Sequence, residues 1–173
     1  MLDQLQTLSA NFKTTDHLLA LSVADLNADT ANHPSRHTEG PSIAWQVEHM
    51  LTHRLRILSL LTASQPAAAP SSNGAPFDLN HLMKRWSTVA DDLQLALNRC
   101  TPATLAAQTR GGPHGEGTAF DLINFLSWHE AYHFGGLGST RKVLGLAEVA
   151  DLAREHHRAQ TSQHAAQEAA IAS

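Results

Sequence analysis

The stretch FLSWHEAYHFGGLGSTRKVLGL, Phe125 to Leu146, decides how this chain reads. Its large apolar residues recur at intervals of three and four, the signature of one helix face. His129 and His133 stand one turn apart, about 40° on a helical wheel. Leu122, Phe125, Leu126, Gly136, Val143 and Leu144 fall within about 60° of His129 on that wheel. Both imidazoles are therefore expected to aim at the interior of the fold. An imidazole that loses water without finding a partner costs ~1–3 kcal/mol. One divalent ion can satisfy two such nitrogens, and i, i+4 spacing on a helix suits it. Gly135 and Gly136 each cost ~0.8–1.0 kcal/mol in a helix relative to Ala. Gly136 lies on the histidine face, where it lets a neighbouring group approach or leaves room beside a ligand.

Outward from this helix the same spacing organises nearly the whole chain. The helix starts at Thr118, where Thr118 and Asp121 resemble a capping box, and stops at Gly145. A first helix runs from about Leu2 to Leu26, with Leu5, Leu8, Phe12, Leu19 and Leu26 on one face. A second begins near Ser42 and carries Ile43, Val47, Met50, Leu51, Leu58 and Leu61. The third has the cleanest stripe: Leu79, Leu82, Trp86, Val89, Leu93, Ala96 and Leu97. NADTANHPSRHTEGP and ASQPAAAPSSNGAP read as connections, and CTPATLAAQTRGGPHGEG as a loop with room for one short helical turn. No segment shows two-residue alternation, so no strand is expected. Four helices of this length make an all-α four-helix bundle the economical fold over residues 1–146. Residues 147–173 are a polar, Ala-rich C-terminal extension, expected to form an outer helix.

The 173 residues suffice for one domain with a real core. A formal charge of −4 argues against a nucleic-acid partner, and no apolar run has membrane length. MLDQLQTLSANFKTTDHLL lacks a basic region followed by an apolar one, so no signal peptide is expected. The single cysteine, Cys100, fits a reducing, cytoplasmic setting.

A metal needs a third ligand from another helix. In SIAWQVEHMLTHRLRILSLL the candidate is His49, on a side strip with Trp45, His53 and Leu60. The two apolar residues argue that this strip is covered. His53 competes for the role, and a four-histidine site stays open. The other eight histidines sit in loops, on polar faces or in the tail. HEAYH also matches H-E-x-x-H, the zinc-protease helix in which Glu is the general base. The run follows the longer metzincin pattern as far as Gly136, but that pattern requires histidine where Ser139 stands. Such folds also hold their peptide at a strand edge. Glu130 lies about 100° from His129, which suits a flanking or supporting residue.

The order of helices, with SIAWQVEH in the second and FLSWHEAYHFGGLGSTRKVLGL in the fourth, resembles the DinB/YfiT-like metalloenzyme superfamily. That resemblance implies a four-helix bundle with a non-standard connection order. It also implies a divalent transition metal on three histidines, here His49, His129 and His133. Zinc or nickel comes first and iron is possible. The family often carries a Gly-Gln pair after the last histidine. Here the pair is Gly135-Gly136, so that amide is missing. Relatives imply a metal-dependent enzyme, most readily a low-molecular-weight-thiol S-transferase acting on a small thiol and an electrophile, and a homodimer. Three imidazoles leave coordination positions open, as catalytic rather than structural sites do. Trp45, Trp128 and Tyr132 either wall a pocket or pack in the core. The competing classes are a non-catalytic metal-binding module, an H-E-x-x-H hydrolase, and a helical protein whose histidines bond only to each other or to backbone.

Overall fold

The computed structural model describes residues 2–36, 39–64, 76–112 and 115–171. Helix α1 covers Leu2–Val23, α2 Ala28–Asn32, α3 Ile43–Thr62, α4 Leu79–Arg99, α5 Pro102–Ala106, α6 Ala119–Val143 and α7 Val149–Ile171. Strands β1, Gln108–Gly112, and β2, Gly115–Thr118, lie between α5 and α6. The fold is all-α in character, and α1, α3, α4 and α6 form the four-helix bundle.

Local chemistry sets the ends of the bundle helices. The Ser42 hydroxyl accepts from the Trp45 amide at 3.1 Å and starts α3. Asp78 does the same for α4 through the His81 amide, also at 3.1 Å. At α6 the capping box is complete: Thr118 Oγ1 accepts from the Asp121 amide at 3.2 Å, and Asp121 Oδ2 from the Thr118 amide at 2.9 Å. Caps of this kind contribute about 0.5–2 kcal/mol. Helix α6 ends where Gly145 turns left-handed, with φ +72°. There the Leu146 amide donates to the Arg141 carbonyl at 3.0 Å, a Schellman closure.

Helix α1 packs on α4 and α6, and α3 packs on α4 and α6. Consecutive helices α1 and α3 are thus diagonal in the bundle, as are α4 and α6. The core shows which way each runs. One apolar cluster joins Leu19 and Val23 with Ile43 to Leu51, Leu79 to Val89, and Leu137. The other joins Leu8 and Phe12 with Ile57, Leu93, Leu97 and Leu122 to Leu126. Hence α1 and α6 are parallel to each other, and α3 and α4 run the opposite way. An α3–α4 connection between parallel neighbours must return the length of a ~30 Å helix, which is why it is long. This is the non-standard order that the family resemblance implied.

Two features depart from the sequence reading. The first connection contains a short helix, α2, capped by Asn27 accepting from the Thr30 amide at 2.8 Å. The loop before α6 holds a short helix, as expected, but also an antiparallel hairpin of β1 and β2. The hairpin escapes periodicity because Gly111, Gly112, Gly115 and Gly117 supply much of it and no apolar face alternates. Its backbone ladder, with a register shift between Arg110 and Gly112, defines it instead. Among the described residues, no helix is long and apolar enough to cross a membrane.

Helix α7 lies against α1, and the His17 and His156 rings meet at 4.9 Å between centroids. Most of the described side chains of α7 beyond Ala153 are exposed.

Between the two apolar clusters runs a polar layer. Arg54 is fully buried, and its Nε and Nη2 donate to the two oxygens of Glu130 at 2.9 and 2.6 Å. Nη1 pairs with Asp16 Oδ1, which also accepts from Trp86 Nε1 at 2.8 Å. The guanidinium carbon lies 3.9 Å from the Trp86 ring centre, and Thr15 donates to Glu130. One side chain thus ties α3 to α1, α4 and α6. Arg141, equally buried, binds Asp25 through two nitrogens, both at 2.8 Å, and the guanidinium beside Asp25 holds that carboxyl below its ordinary range.

The paired glycines differ sharply. A Cβ on Gly136 would stand 2.7 Å from Gln46 Oε1, whereas nothing lies within 4 Å of one on Gly135. Gln46 is buried and donates to Thr140 Oγ1 at 3.1 Å. Gly135→Ala is therefore expected to stabilise the protein by about 0.8–1.0 kcal/mol through helix propensity. At Gly136 the same gain is offset by displacing the Gln46 amide and losing about 1 kcal/mol of hydrogen bonding. Urea denaturation of the two variants should show a gain only for the first.

Candidate metal centre

Helices α3 and α6 pack antiparallel, which places His49 and His53 opposite His133 and His129. Arg54 and Glu130, the next residue in each helix, lock this register from the interior side. His49 Nε2 lies 3.2 Å from His129 Nε2, and His133 Nε2 lies 3.1 Å from His129 Nε2. The ligand atoms of His49, His129 and His133 all fall within 4.8 Å of one another. Two nitrogens bound tetrahedrally to zinc at ~2.0–2.1 Å would stand about 3.3 Å apart, so the set fits a shared ion.

Burial pushes His49 below its ordinary pKa, with a smaller contribution from His129. The same causes, together with His49, bring His133 down to about 4. His53 also falls to about 4, through burial and then His49, His129, Arg56 and His133. These imidazoles are neutral at pH 7, with lone pairs available to an ion. In the chelated protein the sign for stability follows directly. Unfolded histidine titrates near 6.5, so between about 6.5 and about 4 the unfolded chain binds more protons than the folded one. Stability is expected to be full above pH 6.5 and to fall as pH drops toward 4. Denaturation midpoints in chelator across this range, compared with those of His53→Gln, check it; the variant should lose part of the slope.

The histidines do not aim at the bundle centre. The buried face of α6 is Leu122, Ile123, Leu126, Ser127, Glu130, Leu137, Thr140 and Arg141. His129 and His133 flank it, half-buried, and Val143 is 65% exposed. The interior position of the motif belongs to Glu130, only 4% exposed. Its carboxylate is bound by Arg54, so it is not placed to act as the base of an H-E-x-x-H hydrolase. The side strip of α3, expected to be covered, is covered only in part: His49, His53 and Leu60 are half-buried and Trp45 is exposed.

The aromatics are not core residues either. Trp45 is 40% exposed, Trp128 64% and Tyr132 65%. Trp45 stacks on His49 at 4.9 Å and 10°, and Tyr132 meets His133 at 5.5 Å. They form an open rim around the imidazoles. Phe125, 5.9 Å from the His129 ring, also lines a groove of about 900 Å³ between α1, α6 and the hairpin. Cys100 packs against the cluster at Leu93 and Leu97, and burial pushes its thiol up, away from thiolate character.

His17, His33, His81, His157 and His164 are exposed and His156 half-buried, while His37 and His114 lie outside the described residues. Sequence reasoning missed Arg54, Arg141 and Gln46. Arg54 carried a signal, since it falls in the Met50, Leu51, Ile57, Leu58 stripe, where a charge needs a buried partner.

A family model described as the DinB superfamily matches residues 11–137. No curated protein matches the chain.

Proposed function

The chain belongs to the DinB superfamily, and from that premise we propose that it is a metal-dependent enzyme transferring a low-molecular-weight thiol to an electrophile. The observation that carries this reading is the meeting of His49, His129 and His133 Nε2 atoms from two helices beneath an open aromatic rim. In it, these three residues hold a divalent ion, zinc or nickel before iron. Such an ion supplies Lewis-acid chemistry, lowering the pKa of a thiol or water near it.

The chain's own contribution is positional. Lowered imidazole pKa values keep His49 and His133 neutral, with donor nitrogens ready beside His129. The Arg54–Glu130 pair fixes the helix register that brings them together. Trp45 and Tyr132 give apolar, polarisable surface for the thiol's body, and the groove past Phe125 offers the electrophile an apolar bed. In the transfer the sulfur forms a carbon–sulfur bond, the leaving group departs with its electron pair, and the thiol proton passes to solvent. The cytoplasm is the setting in which such thiols stay reduced, and a homodimer is the expected assembly.

The test is direct. Metal-loaded protein is incubated with glutathione, bacillithiol or mycothiol and a chromogenic aryl halide, beside His129→Ala. Thiol-dependent product release by the wild type alone supports transfer. Equal rates with retained metal would make the protein a binding module instead.

A further inference from the structure

We infer that the groove between α1, α6 and the hairpin is a binding site for an uncharged, flat apolar molecule that carries one hydrogen-bonding group. Its volume of about 900 Å³ falls within the roughly 300–1,000 Å³ usual for small-molecule sites. Leu18, Leu122, Phe125, Trp128 and Phe134 give it apolar walls. The Phe125 and Trp128 rings stand 6.2 Å apart and are tilted by 31°, an aromatic face on which a planar ring can stack. Trp128 is exposed, so that face is open to a guest.

One hydroxyl is left for the guest. Ser127 is only 8% exposed, yet its side chain has no hydrogen-bond partner among the described residues and opens into the groove. Thr15, beside it in the lining, is engaged with Glu130 and Arg54. A polar group so placed gains from an oxygen or hydroxyl brought by a ligand. Charge narrows the class further. Among the described residues, no lysine or arginine lines the groove. Both carboxylates that do are engaged, Glu116 with Arg110 at 3.4 Å and Asp121 in the cap of α6. An ion of either sign would lose water there without gaining a free counter-charge, which is unfavourable. Phe125 joins the groove to the metal centre, its ring 5.9 Å from that of His129. On the thiol-transfer reading above, on which this last step alone rests, the electrophile is a neutral ring compound.

The test titrates the full chain, in chelator and again metal-loaded, with three probes on one ring: 1-naphthol, 1-naphthoate and 1-naphthylmethylammonium. Calorimetry gives affinities, tryptophan emission reports the site, and thermal melts establish that each variant is folded. The neutral naphthol should bind at least about tenfold more tightly than either ion, with or without metal. Ser127→Ala should weaken it about fivefold, the weight of one net hydrogen bond. Ala131→Phe, which fills the groove from an exposed lining position, should abolish binding. The emission change should vanish in Trp128→Phe. No naphthol binding by folded wild type, an ion bound as tightly as naphthol, or full affinity in folded Ala131→Phe would overturn the site. Naphthol binding by a protein that takes up no metal would support the groove and remove the reading above, so the two fail separately.

Discussion

Arg54→Ala should destabilise the protein by about 3–5 kcal/mol, the cost of breaking a buried ion pair. The wild-type guanidinium is shielded from solvent and serves two carboxylates, Thr15 and the Phe12 carbonyl. Its removal leaves Glu130, 4% exposed, without its cationic partner. For a chain of this size, the melting temperature should fall by about 10 °C or more. Replacing both partners, as Arg54→Met with Glu130→Leu, should recover much of that loss, because burial of unpaired charge is what costs most. Thermal melts and urea titrations of the single and double variants check this. A single variant as stable as wild type would show that the polar layer does not hold the register of α3 and α6.

His129→Ala carries the second large effect. His129 is the hub of the nitrogen run, within 3.1 Å of His133 Nε2 and 3.2 Å of His49 Nε2. Its loss takes a donor from both helices' shared site, and metal affinity should fall by more than about 100-fold, beyond what an outer-shell loss produces. Stability without metal should change little, because the ring is only half-buried and contributes no core packing. Isothermal titration with nickel or zinc, paired with a melt in chelator, separates the two effects. Retained affinity in a folded variant would move the centre elsewhere.

Much of the fold was legible because it rests on local rules. The α4 stripe from Leu79 to Leu97, the Ser42 cap, the Thr118–Asp121 box and the Gly145 stop each have a one-to-one physical signature in the sequence. The hairpin had none, since glycine-rich strands on the surface pair through backbone groups that side-chain periodicity does not report. The identity of the clustered histidines was legible, but their direction was not. The wheel around His129 gave weight to Val143, which is exposed, and Leu144. The buried face in fact centres roughly a quarter turn away, near Glu130. What turns the helix is the Arg54–Glu130 pair, a contact between distant segments of the chain. Charged residues on an apolar stripe announce such a contact, but only once both helices are placed face to face. Gly136 likewise made sense only when Gln46 was seen to need its space, while Gly135 has no neighbour that requires it.

The central claim is that these imidazoles hold an ion in the working protein. Its most direct test is metal content by mass spectrometry, for wild type and His129→Ala purified without chelator and again after incubation with zinc, nickel or iron. The expected result is about one equivalent of one transition metal in the wild type and less than about a tenth in the variant. A folded wild type that takes up no metal, or a variant that retains a full equivalent, would contradict the claim.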